Sequence, residues 1–394
     1  MAAANCARWL REEGAEGSIL LVGRELDAPY NRPPLSKGYL RGEESKDDVL
    51  FRPDEWWGEQ DIELLTRTSV MKLDSGERLA TLSNKEEVRF GSALLATGAN
   101  VRRLRADGSE LEGIHYLRAF ANSDAIRADA AEAERVVLIG GSYIGCEVAA
   151  SLASQGRKCS IVMQEGVTFD GQFGAEVGGF FQRVLEEHGV EVHGGDDLER
   201  FEGSGDRVGC VVTAGGLSLD CDMVVIGAGV MPDVTLARGA GLDLGEAGGV
   251  KCSSRLETSV PEIYAAGDMC EYDSVIHGRD LRIEHWDVAF NQGKTAALNM
   301  LGRDTPHDAV PYFFSDLADW SSMEYVGPGT GKPVIRGSLE DGDFTAFYVD
   351  GDRVTAALTV GRSDDLEHAR RWITEGTGVD PERLVDESTD PAGL

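Results

Sequence analysis

The chain has 394 residues with 42% apolar content, enough for the cores of two or three domains and well beyond a small scaffold that needs disulfide staples. Lys and Arg total 38 against 69 Asp and Glu, and the resulting charge of −31 repels nucleic acid and anionic membranes and suits a salt-adapted protein. No segment approaches the roughly 20 apolar residues that cross a bilayer, and the start lacks the pattern of a secretory signal, so a cytoplasmic protein is expected.

Residues 2–13 are rich in helix formers, and Gly14 and Gly17 end the run before an apolar strand at 18–22. A mononucleotide-binding unit has a strand and a Gly-rich turn in front of such a helix. Here the chain opens inside the helix, so that strand and the turn's first two glycines are expected to be missing and to lie upstream of Met1. Glu25 stands where an acidic residue at a strand end accepts from ribose hydroxyls. Residues 28–37 then read Ala-Pro-Tyr-Asn-Arg-Pro-Pro-Leu-Ser-Lys. The prolines hold the backbone extended, so Arg32 and Lys37 project from a stiff segment.

Pro-Tyr-x-Arg-Pro-Pro-Leu-Ser-Lys resembles the flavin-binding segment of the FAD-dependent ferredoxin and rubredoxin reductases, whose relatives include putidaredoxin reductase, dioxygenase ferredoxin reductases and apoptosis-inducing factor. The resemblance implies an α/β protein with two Rossmann-like three-layer nucleotide-binding domains and a C-terminal α+β interface domain. The implied boundaries are 1–115 with 247–309 for FAD, 116–246 for NAD(P), and 310–394 for the interface domain.

Short alternating stretches at 64–73, 79–82 and 88–90 predict a small β-meander. Residues 92–98 form a buried strand, and its Ala96-Thr97-Gly98 end resembles the family's crossing between flavin and nicotinamide domains. A helix is expected at 122–133. Residues 136–147, Val-Val-Leu-Ile-Gly-Gly-Ser-Tyr-Ile-Gly-Cys-Glu, give a buried strand, a tight turn and the start of an Ala-rich helix. Any parallel α/β protein can carry such a turn; with a second strand at 160–163, it predicts a pyrophosphate cradle. Gly140, Gly141, Ser142, Tyr143, Ile144 and Gly145 form it, with Ser142 in the place of the usual middle glycine. The acidic partner expected beyond the strand is displaced: Met163 stands there and Glu165 follows, with no arginine for a 2′-phosphate, so NAD is preferred over NADP. Glu165 also fits a solvated loop charge.

A helix at 175–188, a strand at 190–192 and a second meander at 198–219 follow. Residues 223–232, including Gly229, resemble the strand that closes the nicotinamide domain. Residues 258–268 end in Gly267-Asp268 and resemble the second flavin fingerprint, in which the aspartate accepts from a ribityl hydroxyl. Glu284, His285 and Trp286 precede a helix at 288–301, and the resemblance places Trp286 beside the flavin ring, although a core tryptophan fits the same pattern. Strands at 312–315, 332–337, 344–349 and 354–360 and a helix at 364–375 complete the chain, with residues 387–394 expected to be loose.

In the family's chemistry hydride passes from nicotinamide to flavin. The resemblance gives Lys37 a place near the flavin N5, and Glu147 a place pairing with it and touching the nicotinamide carboxamide. Lys37, Glu147 and Trp286 are therefore the catalytic candidates. The seven cysteines (Cys6, Cys146, Cys159, Cys210, Cys221, Cys252, Cys270) contain no Cys-x-x-Cys, and the seven histidines are dispersed, so neither a redox dithiol nor a metal is expected. Electrons must then leave the flavin outward, to a ferredoxin- or rubredoxin-like iron–sulfur protein. Such partners are usually acidic, so docking needs a basic patch such as Arg102, Arg103 and Arg105, or salt screening. Two other functions remain open: a nicotinamide-sensing interaction protein resembling apoptosis-inducing factor, with a homodimer as its product, and a truncated, flavin-poor chain.

Overall fold

Two compact units share the chain in a computed structural model that describes residues 1–394, the side chain of Ser204 apart. The first unit comprises Met1–Arg32, Lys46–Asn100 and Val230–Pro311; the second comprises Pro33–Ser45, Val101–Gly229 and Tyr312–Leu394.

The first unit opens with helix Ala2–Glu12, whose N-cap is Met1. Its three leading alanines are the strongest helix formers, and Gly14 ends the run with φ +84°, a conformation that glycine adopts without steric cost. The small residues serve packing too. Any Cβ at Gly293 in helix Trp286–Met300 would strike the Ala2 carbonyl oxygen, so the two helices meet backbone to backbone there. Asn5 Nδ2 donates to the Phe290 carbonyl at 2.6 Å across that contact.

The parallel strands of this unit form two separate pairs. Ile19–Val22 pairs with Ile62–Leu65, and Ala93–Leu95 with Ile263–Ala265. Residues 64 and 65 were expected in the meander and instead belong to the first pair, because Ile62 and Leu64 pack with Ala4, Ala7 and Trp57. The meander itself is Val70–Asp74, Leu79–Leu82 and Glu87–Arg89. A second core gathers Cys252, Ile263, Cys270, Tyr272 and Leu281.

The second unit holds a five-stranded parallel sheet in the order Glu191–His193, Lys158–Val162, Arg135–Ile139, Met223–Ile226, Ile114–Tyr116. Val136–Ile139 and Met223–Ile226 are buried throughout, which is why they read as unbroken apolar runs without alternation. The second meander, Leu198–Ser204, Arg207–Thr213 and Ser218–Asp220, matches its expected span. The C-terminal segment is a five-stranded antiparallel sheet in the order Tyr312–Leu317, Ser321–Val326, Arg353–Val360, Asp343–Asp350, Pro333–Ser338. Helix Ser363–Glu375 supplies Leu366, Ala369, Trp372 and Ile373 to the buried side.

Aromatic rings fill the space between the parallel and antiparallel sheets of this unit. Tyr143 lies 4.9 Å from Phe313, Phe169 and Phe173 stack at 5.7 Å, and Tyr348 Oη donates to the Phe173 carbonyl at 3.0 Å. The C-terminal residues, expected to be loose, are tied down. Buried Arg336 donates to the carbonyls of Leu384 (3.2 Å), Asp386 (2.8 Å) and Thr389 (3.0 Å), and Trp372 Nε1 donates to the Leu394 carbonyl at 3.3 Å. Composition missed this because most of these bonds are made by backbone carbonyls, with Glu387 adding an ion pair to Arg362 at 2.7 Å. Among the described residues no helix is long and apolar enough to cross a membrane, and no His, Cys, Asp and Glu cluster suits a metal ion.

Candidate nucleotide and redox site

In the second unit, the prolines at 33 and 34 start a 3-10 turn, Pro33–Ser36, which closes through Lys37 N–H donating to the Pro34 carbonyl at 2.9 Å. Their fixed φ leaves Ser36 and Lys37 presented side by side. Helix Gly38–Arg41 follows and ends at Gly42 with φ +79°. The Ser36 carbonyl accepts from Ser151 Oγ at 2.6 Å and the Leu35 carbonyl from Ser123 Oγ at 2.8 Å, so the turn is pinned to two helices.

Tyr143, Glu147 and Ser151 recur every four residues along helix Tyr143–Ser154 and so share a face. Glu147 is 5% exposed and Lys37 8%. Glu147 Oε1 accepts from Lys37 Nζ at 2.6 Å and from Ser315 Oγ at 2.6 Å, while Oε2 accepts from Ser36 Oγ at 2.5 Å. One ammonium and two hydroxyls thus surround a buried carboxylate. Burial of a carboxylate is costly unless it is paired and hydrogen-bonded, and this one is both.

The same helix begins at the phosphate cradle. Ser142 is its N-cap in extended conformation, makes no side-chain capping bond, and is followed by no acidic residue in the first turn. The first amides therefore face outward with the positive end of the helix dipole. Gly140 has φ +108°, and a Cβ there would lie 2.6 Å from the Gly227 carbonyl oxygen. A Cβ on Gly145 would strike the Gly140 carbonyl oxygen. Both glycines are required by close backbone approach, and the backbone amides of such a turn could hold a diphosphate. Tyr143 and Ile144 are half-buried, and Gly141 is backed by Met163, whose sulfur a Cβ there would meet. Met163 is thus a buried prop for the turn, while Glu165 and Gln164 are exposed beyond it. Gly229 has φ +84°, and its carbonyl accepts from Arg102 N–H at 3.0 Å.

The first unit carries the remaining candidates. Glu25 accepts from Tyr30 Oη at 2.5 Å and pairs with Arg32, contacts that orient the carboxylate without using all its accepting positions. Burial lowers the Arg32 pKa, but Tyr30, Glu25 and Asp268 more than offset it and hold the guanidinium above its ordinary range. Thr97 Oγ1 donates to the Asp233 carbonyl at 2.5 Å, next to half-buried Ala96 and to Gly98, whose φ is +70°. Gly267 has φ +79° and donates its N–H to Gln292 Oε1 at 2.7 Å; a Cβ there would touch Ala289 and Ala2. That leaves a side-chain-free backbone corner beside half-buried Asp268, which fits a flavin's ribityl chain. His285 caps helix Trp286–Met300, and burial pushes its pKa down to about 4, so its ring is neutral at pH 7. Trp286 stacks on Phe290 at 5.1 Å and donates Nε1–H to Asn31 Oδ1 at 3.1 Å, which fixes the ring.

Sequence reasoning missed Ser36, Ser315, Asn31 and Arg282 as members of these clusters. Arg282 donates to the Asp268 carbonyl at 3.0 Å and pairs with Glu284 at 2.5 Å. Ser36 adjoins Lys37 and lies within the quoted motif; Ser315 lies in the segment 310–316, which resembles the family's opening to its C-terminal domain but does not point to Glu147. All seven cysteines are free, and burial lifts the Cys6, Cys159 and Cys221 thiols to about 12. None of these three is a thiolate at neutral pH.

The family model for pyridine nucleotide-disulphide oxidoreductases matches residues 1–293, and that for the reductase C-terminal domain matches 312–392. The ferredoxin reductase subunit of 5,5′-dehydrodivanillate O-demethylase from Sphingobium sp. is 34% identical over 98% of this chain and 94% of its own length. Putidaredoxin reductase of Pseudomonas putida is 32% identical over 98% of the chain and 93% of its own. Among solved structures, the ferredoxin reductase for the CYP199A2 system from Rhodopseudomonas palustris superposes with a TM-score of 0.95 at 32% identity, covering 100% of this chain and 96% of its own. The covalent putidaredoxin reductase–putidaredoxin complex superposes with a TM-score of 0.94 at 32% identity, over 99% and 95% of the two chains. With a glycine cradle, a buried lysine–glutamate pair and no Cys-x-x-Cys dithiol, the chain belongs to the pyridine nucleotide-disulphide oxidoreductase family, in the form that carries a reductase C-terminal domain.

Proposed function

We propose that the chain is an FAD-dependent NAD(P)H oxidoreductase that delivers electrons to a ferredoxin- or rubredoxin-type iron–sulfur protein. The observation that carries this reading is the Lys37–Glu147 pair, buried on the helix that starts at the cradle. Nothing in the fold alone requires a buried charge pair there, and such a pair is costly to desolvate. When bound, flavin accepts a hydride from the nicotinamide and releases electrons singly. Residues 1–115 and 247–309 hold the flavin, with Arg32, the Ala96–Gly98 corner, Gly267, Asp268, Glu284, His285 and Trp286 lining it. Residues 116–246 hold the nicotinamide cofactor, with its diphosphate at Gly140–Gly145, and residues 310–394 form the interface domain. Lys37 supplies positive charge to the reacting end, and Glu147 fixes the lysine and receives the carboxamide. NADH is preferred over NADPH because exposed Gln164 and Glu165 follow the cradle's second strand and offer no cation to a 2′-phosphate.

The test is spectral. Purified protein supplied with FAD should be yellow, bleach anaerobically on NADH, and recover colour rapidly when an oxidised ferredoxin is added. Protein that stays colourless with FAD sinks the flavoenzyme reading. A long-lived reduced complex that dimerises and ignores ferredoxin favours the interaction protein instead.

A further inference from the structure

Strand Tyr312–Leu317 alternates strictly: Phe313, Ser315 and Leu317 are buried, and the residues between them are half-buried or exposed. Phe313 and Leu317 are the apolar residues that such a strand needs on its inner face. Ser315 between them is 1% exposed and is the odd member, a hydroxyl among hydrocarbon. Its Oγ donates to Glu147 Oε1, the same oxygen that takes Lys37 Nζ. The two donors bracket that oxygen, and Phe313 on the same strand face holds Tyr143 one helical turn before Glu147.

We propose that Ser315 is a positioning residue: by its hydrogen bond to Glu147 Oε1 the C-terminal sheet sets the geometry of the Lys37–Glu147 pair, and with it the rate of hydride transfer. Its kinetic part rests on the function proposed above. The carboxylate has freedom about its side-chain torsions, and without the Ser315 donor one lone-pair direction of Oε1 is empty in a place where water has little access. The carboxylate then rotates to share Ser36 and Lys37 differently, and Lys37 loses its fixed orientation. Ser36 cannot substitute, because it holds Oε2 and belongs to the same turn as Lys37, so it moves with the lysine. Ser315 supplies a fixed reference outside that turn. It touches no substrate, and its influence runs only through Glu147.

The test compares wild type, Ser315→Ala and Ser315→Thr as FAD-loaded full-length protein in two assays. The first is the labelling rate of Lys37 by an acetylating reagent, read by mass spectrometry, with the exposed Lys158 as internal standard. The second is the single-turnover rate of flavin bleaching by NADH, recorded together with NAD+ affinity and the thermal midpoint. In Ser315→Ala, Lys37 labelling should rise several-fold and bleaching should slow about tenfold, as expected for loss of one charge-assisted hydrogen bond. NAD+ affinity should stay within about twofold, and Ser315→Thr, which keeps the hydroxyl on a strand-favouring residue, should restore both rates. Unchanged Lys37 labelling overturns the proposal, as does unchanged bleaching, or a bleaching defect that tracks the thermal midpoint and is not restored by threonine. If labelling rises and threonine restores it, but wild type is itself not bleached by NADH, the positioning of the pair stands and the proposed function fails.

Discussion

Removing either partner of the buried pair should not cost the same. Glu147→Leu leaves the Lys37 ammonium, whose side chain is 10% exposed, without its carboxylate, leaves the Ser315 hydroxyl without its acceptor, and leaves Ser36 only the Pro33 carbonyl at 3.2 Å. A cost of about 3–5 kcal/mol is expected for stranding a buried charge. Lys37→Met keeps the straight aliphatic stem and leaves Glu147 with two hydroxyl donors, each offsetting part of the loss, so about 2 kcal/mol is expected. In the double variant no charge is left in the pocket, and the cost should fall to about 1–2 kcal/mol, as when buried ion pairs are replaced by apolar residues of similar size. The coupling energy is then about 4 kcal/mol, well above what independent sites show. Guanidinium unfolding followed by circular dichroism and by tryptophan fluorescence measures all four proteins, and the two probes must coincide for the cycle to be used. A double variant whose cost equals the sum of the singles to within about 0.5 kcal/mol, or a Lys37→Met cost larger than that of Glu147→Leu, refutes the account of the pair.

Gly145→Ala should push the cradle apart, because the new Cβ meets the Gly140 carbonyl; the NADH dissociation constant should rise at least about tenfold by calorimetry, with flavin content unchanged. His307 is 2% exposed and burial lowers its pKa from 6.5 to about 4, so between those values the unfolded chain binds the extra proton. The stability it provides is complete above about pH 6.5 and falls by about 3 kcal/mol as pH drops to about 4; His307→Gln should flatten that slope in denaturant midpoints measured across the range. Alkylation of the native protein at neutral pH should mark half-buried Cys210 before any other cysteine and leave NADH-dependent reduction of a ferredoxin intact, whereas loss of activity in step with alkylation would reveal a working thiol.

Local chemistry was legible in the sequence wherever backbone conformation is dictated by one residue type. Pro33 and Pro34 fix the turn that presents Lys37, and Gly140 and Gly145 fix the cradle, so short motifs were enough. What stayed hidden depends on distant partners. Ser315 meets Glu147 across a separation of 168 residues, and a serine in Tyr-Phe-Phe-Ser-Asp gives no sign of which face it occupies until the strand is paired. Residues 64 and 65 read as part of the meander because alternation is shared by parallel and antiparallel edge strands; only the pairing of Ile62–Leu65 with Ile19–Val22 distinguishes them. Strand Ser321–Val326 was passed over because its polar members, Ser321, Ser322 and Glu324, dilute the apolar pattern. Glu25 was assigned by position at a strand end, and position could not show that Tyr30 and Arg32, five and seven residues on, would reach back to it.

Phe313 and Ser315 reach the cradle helix as neighbours on one strand, the first through Tyr143 and the second through Glu147. Anyone assembling chimeras from two such reductases, with the nucleotide-binding part of one and the C-terminal sheet of the other, would therefore cut through a matched set. A graft that brings leucine in place of Ser315, or a smaller residue in place of Phe313, changes the cradle helix without altering a residue of the donor's nucleotide motif. The seam to preserve lies before Tyr312 on one side and includes the Tyr143–Glu147 turn on the other, so these segments are best exchanged together or left in place.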